Sequence, residues 1–224
     1  MSDFKVSIRP NGPYVVTGGV PLARQHIVTN DAGESLEWAQ GESFETGAVY
    51  ALCRCGQSSK KPFCDGSHVA ARFDGTETAS RAPYDEQAGV LPGPEMALQD
   101  AESLCAFARF CDPAGRVWNL VQETQDPRAR ALVEHEAGHC PAGRLVARNR
   151  EGEALEPKHP PSIGLVMDTA RGESGPIWVR GGVPVVSADG TTYEVRNRVT
   201  LCRCGASDNK PFCNGAHASM HFKE

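Results

Sequence analysis

The sequence predicts an α+β protein in which two similar half-modules flank a central α+β insert. A motif occurs twice, as CRCGQSSKKPFCDGSH at residues 53–68 and as CRCGASDNKPFCNGAH at residues 202–217. The strand-like segment before each copy is repeated as well. The residues between the copies have a different pattern, with helix-like and strand-like stretches. A repeat that keeps a constant offset of 149 residues indicates one structural module used twice.

The extent of the repeat sets the domain boundaries. We assign residues 1–79 to the first half-module, residues 80–160 to the insert and residues 161–224 to the second half-module. With 224 residues and 40% hydrophobic content, the chain has enough apolar material for one large or two small cores.

The first half-module begins with short segments rich in β-branched residues and divided by Gly, Pro and Asn, which predict strands at residues 4–8, 14–18 and 20–28. Residues 30–47 are polar and Gly-rich, so we expect a loop with at most a short strand. The apolar run AVYAL at residues 48–52 predicts a strand that leads directly into Cys53.

The same lead-in precedes the second motif. GPYVVTGGVPL at residues 12–22 corresponds to GPIWVRGGVPV at residues 175–185, and RVTL at residues 198–201 stands where VYAL stands before Cys53. The repeated unit therefore contains strands as well as the motif.

The insert is predicted to mix helices and strands. Residues 94–110 place apolar residues at helical spacing, and residues 127–137 predict a second helix that ends near Gly138. Strands are predicted at residues 116–121, 143–148 and 163–168.

Composition excludes several classes of partner. The net charge is −5, with both signs scattered along the chain and no basic block, which argues against nucleic acid and against an anionic membrane surface. No apolar run reaches the length of a signal peptide or of a membrane span. We therefore expect a cytoplasmic protein.

The cysteine count favours metal over disulfides. The chain has nine cysteines, an odd number, and six of them lie in the repeated motif. In an extended segment, Cys53 and Cys55 point to the same side. Cys64 and His68 share one face if a helical turn begins at Asp65. The second copy repeats these spacings with Cys202, Cys204, Cys213 and His217.

Three cysteines and one histidine fit either a structural zinc ion or an iron-sulfur cluster. Zinc knuckles usually separate their first two cysteines by two to four residues, whereas a diiron cluster is wider and takes one ligand pair on each iron. Spacing alone leaves both open.

The run Cys64-Asp65-Gly66-Ser67-His68 resembles the signature of the CDGSH iron-sulfur (NEET) proteins, and the whole layout is similar to the longer bacterial members. This resemblance implies two 2Fe-2S clusters, each held by three cysteines and one histidine. The first would be bound by Cys53, Cys55, Cys64 and His68, and the second by Cys202, Cys204, Cys213 and His217. The second copy departs from the signature at Asn214 and Ala216, so we expect the two clusters to differ.

The resemblance also implies an intramolecular, pseudo-twofold NEET-like β-cap, formed by one chain that acts as its own dimer, and hence a monomer. Its implied role is electron transfer, or cluster transfer and redox sensing, with a redox partner or an apo-acceptor protein. We find no substrate site, so an enzyme is not expected. The alternatives are a structural zinc-binding interaction module and a metal-dependent enzyme that uses the insert.

The insert holds two further candidate groups. The run HEAGH at residues 135–139 formally matches the zincin pattern, but Gly138, Cys140 and Pro141 predict that the helix ends there. Cys105, Cys111 and Cys140 could form a third metal site with His135 or His139. We favour the simpler interpretation, in which Cys105 belongs to the apolar helical stripe and the other two are ordinary thiols.

Overall fold

The structure, a computed structural model, describes residues 4–224 and confirms the α+β class. Five strands and one short helix form the first part of the chain: β1 Lys5–Ile8, β2 Tyr14–Thr17, β3 Leu22–Thr29, β4 Ser35–Phe44, β5 Val49–Leu52 and α1 Ser67–Ala70. The last part contains β9 Ser162–Asp168, β10 Glu173–Arg180, β11 Val185–Val186, β12 Arg198–Leu201 and α5 Ala216–Ser219.

Between them lie α2 Tyr84–Gln87, β6 Gly89–Pro92, β7 Ala97–Asp100, α3 Val117–Leu120, α4 Pro127–His139 and β8 Leu145–Arg148. Short 3-10 turns occur at Glu102–Leu104, Pro113–Gly115 and Val121–Glu123. Strands β6, β7 and β8 form their own antiparallel sheet, on which α3 and α4 pack. None of the helices among residues 4–224 is long and apolar enough to cross a bilayer.

Each of the two larger sheets combines strands from both ends of the chain. One sheet has the order β11-β1-β2-β5 and the other has the order β12-β10-β9-β3-β4. The strands that come from opposite ends pair in parallel, with Val6 opposite Val185 in the first sheet and Leu22 opposite Ile163 in the second. Neither end of the chain completes a sheet without the other.

The strand pairs that lead into the motifs have equivalent registers. Tyr14 lies opposite Leu52 in the β2–β5 pair, and Ile177 lies opposite Leu201 in the β10–β12 pair. The predicted repeat of the strands is therefore confirmed. Alternating residues of both sheets face inward and form one shared apolar core, which includes Val16, Leu52, Leu165, Ile177 and Leu201.

The structure corrects the prediction of a helix at residues 94–110. This segment forms β7 and a 3-10 turn, followed by irregular chain. The residues at helical spacing, among them Leu98, Ala101 and Leu104, are indeed buried. They are buried because the segment crosses the protein interior. Their helical spacing does not indicate a helix here. Cys105 therefore does not lie on a helix.

Two other predictions are also wrong. Residues 30–47, expected to be a loop with at most a short strand, contain the ten-residue strand β4, which pairs with β3. Residues 116–121, expected to be a strand, form α3 and the start of a 3-10 turn. The predicted strands at residues 143–148 and 163–168 are confirmed as β8 and β9.

Helix α4 lies where it was predicted but continues further. It begins after Asp126, whose side chain accepts a hydrogen bond from the Arg128 amide, and it runs through Gly138 to His139. Gly138 itself is helical, but the prediction that the helix ends near this residue is confirmed to within one residue, since Cys140 is no longer helical. The Cβ position of Gly138 is open, with only the Pro157 ring at 3.7 Å, so the glycine meets no steric demand there.

Candidate metal centres

Each motif is folded back onto the strand that leads into it. In the first copy the Cys53 amide donates to the carbonyl of Pro62 at 2.8 Å, and the Cys64 amide donates to that of Ala51 at 2.9 Å. The corresponding bonds of the second copy are 2.8 and 2.9 Å long. These bonds bring the second pair of ligands alongside the first.

The paired cysteines have the spacing that one metal ion requires. The Sγ atoms of Cys53 and Cys55 are 3.8 Å apart, and those of Cys202 and Cys204 are 3.7 Å apart. Two ligands of a tetrahedral metal with bonds of ~2.3 Å to sulfur lie about 3.8 Å apart. Each CxC pair therefore fits a single metal.

The cysteine and histidine of each copy form an equivalent pair. Cys64 Sγ lies 3.5 Å from His68 Nδ1, and Cys213 Sγ lies 3.4 Å from His217 Nδ1. A tetrahedral metal bound by one sulfur and one imidazole nitrogen would separate them by about 3.6 Å. In both copies the ring presents Nδ1, and not Nε2, to the sulfur.

The second set of ligands is deeply buried. Burial raises the pKa of Cys213, and the pKa of Cys204 is raised by its hydrogen bond to Cys202 and by burial. Thiolates in such a setting need a compensating cation, because burial disfavours the charged form. A metal ion bound by these residues would supply that cation.

A serine that the sequence analysis did not single out shapes each ligand loop. The Ser58 hydroxyl donates to the Phe63 carbonyl at 2.6 Å, while the Ser58 carbonyl accepts a hydrogen bond from Lys61 Nζ at 2.6 Å. Ser207 makes both contacts in the second copy, at 2.7 Å each. The repeated serine was visible in the sequence, but its role depends on contacts five residues away.

The Asp65 side chain organises the first copy in a way that the second cannot match. Its carboxylate accepts hydrogen bonds from the amides and hydroxyls of Ser59 and Ser67, at 2.6 to 3.0 Å. These bonds, chiefly those from Ser67, hold its pKa well below the usual range. In the second copy, Asn214 accepts one bond, from the Ala216 amide at 3.2 Å.

Buried arginines separate the paired cysteines in both copies. Arg54 donates to the Gly75 carbonyl at 2.6 Å and lies over the Tyr14 ring at 5.5 Å. Arg203 donates to the Gly175 carbonyl at 2.6 Å and pairs with Glu224. Positive charge beside the ligands favours thiolates.

The two copies meet at the middle of the molecule. Cys55 and Cys204 form an antiparallel backbone bridge. A Cβ atom on Gly56 would lie 2.6 Å from the Cys204 carbonyl oxygen, and one on Gly205 would lie 2.6 Å from that of Cys55. Both glycines also have positive φ, so a side chain at either position would be disfavoured by the close contact and by the backbone conformation.

The two sites differ in exposure. His68 is half-buried and borders an open groove with Asn11 and Arg72. His217 is only 6% exposed. The insert approaches the second site, since a Cβ atom on Gly215 would lie 3.3 Å from the Cys105 carbonyl oxygen and 3.4 Å from Phe107 Cβ.

The remaining cysteines gather in the insert. Cys105, Cys111 and Cys140 line one small cavity, which also borders Arg144. Burial, followed by the charges of Cys140, Asp112 and Cys105, raises the pKa of Cys111 to about 12. The three cysteines therefore lie close together in the folded insert. The predicted histidine partners do not join them, because His135 and His139 turn towards Glu37.

Glu136, the acidic residue of the HExxH run, faces the protein interior. It is 2% exposed, and neither carboxylate oxygen has a hydrogen-bond partner. Burial raises its pKa to about 8. This burial adds to the helix end at His139 as evidence that the run is not a zincin site.

Comparison with known families supports metal binding in both parts of the chain. Residues 11–69 and 174–218 match the family described as iron-binding zinc finger CDGSH type, and residues 91–150 match the family described as divergent 4Fe-4S mono-cluster. Searches of curated proteins and of solved structures found no match. The first pair of matches encloses all eight motif ligands, and the second encloses Cys105, Cys111 and Cys140. Both matched segments are of the CDGSH type, so the chain fits a CDGSH protein that carries the motif twice.

Proposed function

We propose that the chain binds a 2Fe-2S cluster at each CDGSH motif and serves in electron transfer. The observation that carries this proposal is the pairing of the ligands, two sulfurs at 3.7–3.8 Å and a sulfur and a nitrogen at 3.4–3.5 Å in each copy. The CxC pair would hold one iron and the Cys/His pair the other. When bound, such a cluster accepts and releases a single electron.

The residues around each site supply the conditions for that chemistry. The imidazole replaces a fourth thiolate and removes one negative charge from the ligand set, which raises the reduction potential. Arg54 and Arg203 keep positive charge close to the paired cysteines. The backbone bonds of the ligand loop fix the thiols before metal arrives, and this lowers the cost of ordering them.

The arrangement of the sheets supports the expected NEET-like β-cap. Strand β1 pairs with β11 and β3 pairs with β9, so the two halves exchange strands in the manner of a dimer. The bridge between Cys55 and Cys204 would then lie near a pseudo-twofold axis. One chain would supply both halves, and we propose that the protein is a monomer.

The insert adds a third cluster site to the two that the motifs predict. Cys105, Cys111 and Cys140 lie in the segment that matches the 4Fe-4S mono-cluster family, and all three residues line one cavity. The chain offers no fourth cysteine to this site, because the other six belong to the motifs. We propose this cluster in addition to the two expected at the motifs.

The contiguity of the three sites favours electron transfer. The two motifs meet at the Cys55–Cys204 bridge, and the Cys105 segment lies against Gly215 of the second motif. Electrons could pass along this row without a mobile carrier. Cluster donation remains the second candidate, because His68 at the first site is partly open to solvent.

Metal analysis of anaerobically purified protein tests this proposal. Three occupied sites require about eight irons per chain, and two 2Fe-2S clusters alone require about four. Replacing Cys111 with serine should remove the irons of the insert's cluster and leave the irons of the two motif clusters in place. A colourless protein with stoichiometric zinc would overturn the proposal.

A second measurement separates the two roles. The reduced protein is mixed with an oxidised electron acceptor and, in parallel, with an apo-ferredoxin. Electron transfer predicts fast oxidation with iron retained by the chain, whereas cluster donation predicts that iron moves to the apo-protein.

A further inference from the structure

Two histidines of the insert and a glutamate of the first half-module form a separate group of potential metal ligands. Glu37 on β4 and His135 and His139 on α4 place one carboxylate oxygen and two imidazole nitrogens within 4.8 Å of one another. The histidines are one helical turn apart, so both rings lie on the same face of α4, with centroids 4.0 Å apart. We propose that these three side chains bind one zinc ion.

The distances between the ligand atoms suit a small tetrahedral ion. His139 Nε2 lies 2.9 Å from one Glu37 oxygen, and His135 Nε2 lies 3.9 Å from the other. Zinc bonds of ~2.0–2.1 Å place neighbouring ligand atoms about 3.3 Å apart. The two observed distances lie on either side of this spacing, so small rotations of the side chains would bring the ligand atoms to the distances that zinc requires.

The hydrogen bond at the far side of the His139 ring leaves the correct nitrogen free for metal. Nδ1 lies 2.7 Å from the His135 carbonyl oxygen, which is an acceptor, so Nδ1 carries the proton. Nε2 can then offer its lone pair towards Glu37. A backbone carbonyl that holds the other ring nitrogen is the usual partner of a metal-bound histidine.

To bind zinc, His135 must give up one hydrogen-bond contact. Its Nε2 lies 3.0 Å from the carbonyl oxygen of Leu36, a contact that zinc would replace. Leu36 is exposed, so water can take over that acceptor at little cost.

The backbone that carries the ligands is fixed by contacts that need no metal. The Trp38 indole N–H, next to Glu37, donates to the His139 carbonyl at 3.1 Å. The Trp38 ring also packs against Phe110 and Trp178, with centroids 4.8 and 4.7 Å away. The strand and the end of the helix therefore hold the three ligands in register, as a preorganised site requires.

The two histidines border an open cleft that Trp38, Glu134, Leu155, Pro157, His159 and Trp178 also line. Zinc bound by three protein ligands keeps a fourth position for water or a small ligand, and two histidines with one glutamate form a known set of this kind. The Glu136 carboxylate is buried and does not line this cleft, so it takes no part in the proposed site. The proposal is therefore one of zinc binding.

Zinc titration of the cluster-loaded full-length protein tests the proposal. Isothermal titration calorimetry, with metal analysis after gel filtration, should give one zinc per chain. Glu37→Gln and His139→Ala should each lower the affinity at least about 100-fold, since loss of an outer-shell partner alone costs 10–100-fold. Glu134→Gln is the matched control, because this exposed carboxylate lies on the same helix and cleft but outside the ligand set; its affinity should be unchanged.

The visible spectrum of the clusters is recorded throughout, so zinc that displaces iron from the cysteines is seen as bleaching. Because the Glu37 side chain is 60% exposed, its replacement by glutamine leaves the fold intact. Zinc affinity that is the same in wild type and in Glu37→Gln, zinc uptake accompanied by bleaching, or no uptake at all would each overturn the proposal. In the last case the Glu37–His139 contact is a simple ion pair.

Discussion

Cys55 and Cys204 lie directly opposite each other in an antiparallel backbone bridge, so each motif rests on the other at its own ligand segment. The contact depends on the glycine that follows each cysteine. Two ligand sets that share such a contact cannot move independently. A substitution that displaces one set of ligands is therefore expected to displace the other as well.

Gly56→Ala should destabilise the protein and reduce the iron content of both motifs. The new Cβ would meet the Cys204 carbonyl oxygen at 2.6 Å. Gly66→Ala is the control, because Gly66 also has positive φ but has no atom within 4 Å of the Cβ position. The control should cost about 1–2 kcal/mol from backbone strain, and Gly56→Ala should cost at least ~1–3 kcal/mol more from the clash. Equal losses in urea unfolding would show that the close contact is not required.

Tyr14→Phe should weaken the second cluster and leave the first intact. The buried Tyr14 hydroxyl donates to the Cys202 carbonyl at 2.8 Å and lies 3.1 Å from that of Pro211. We expect a loss of about 1–2 kcal/mol in stability and faster loss of iron at the second site. Tyr50→Phe removes another buried hydroxyl bond, to the Val20 carbonyl, and should cost similar stability with no effect on iron release. The same release rate in both variants would contradict this prediction.

Iron should leave the two motifs at different rates when a chelator is added. His68 borders an open groove, whereas His217 is buried beneath the insert. The loss of visible absorbance that comes from the two motif clusters should therefore contain a fast and a slow phase. Replacing Cys64 with serine should remove the fast phase, and replacing Cys213 should remove the slow one. If the two substitutions have the opposite effects, exposure of the histidine does not control release.

Stability should fall below neutral pH partly because of His159. Burial, followed by the charges of Arg180 and Arg198, lowers the pKa of His159 to about 4 from its ordinary 6.5. Between these values the unfolded chain binds more protons than the folded one, so stability decreases as the pH falls from 6.5 to 4. His159→Gln should reduce the loss of stability between pH 7.5 and pH 5 by about 1–2 kcal/mol. Chemical unfolding of both proteins at the two pH values checks this, and identical pH dependence would contradict it.

The ligand spacing could be read from the sequence because it is local. A strand brings Cys53 and Cys55 together, and one helical turn brings Cys64 and His68 together, whatever the rest of the chain does. The repeated lead-in strands were visible for the same reason. The division at residues 79 and 160 remains a prediction.

The errors come from segments whose structure is decided by distant neighbours. Strand β4 has the sequence SLEWAQGESF, and only its first residue, Ser35, is fully buried. It is the edge strand of its sheet, so its sequence carries neither an apolar run nor a regular alternation. Glu37 was therefore missed as a neighbour of the histidines in α4, which lie about 100 residues further along the chain.

The exchange of strands between the two ends of the chain has a consequence for synthesis on the ribosome. Strand β1 is among the first segments to emerge, yet its partner β11 lies at Val185–Val186. The first motif is translated early as well, but the backbone bridge that supports it can form only after Cys204 has been synthesised. Until then the nascent chain carries unpaired strand edges and an unsupported set of thiols. Loading of metal at either motif is thus a late event, and gene fragments that encode one half alone would yield neither a finished sheet nor a finished site.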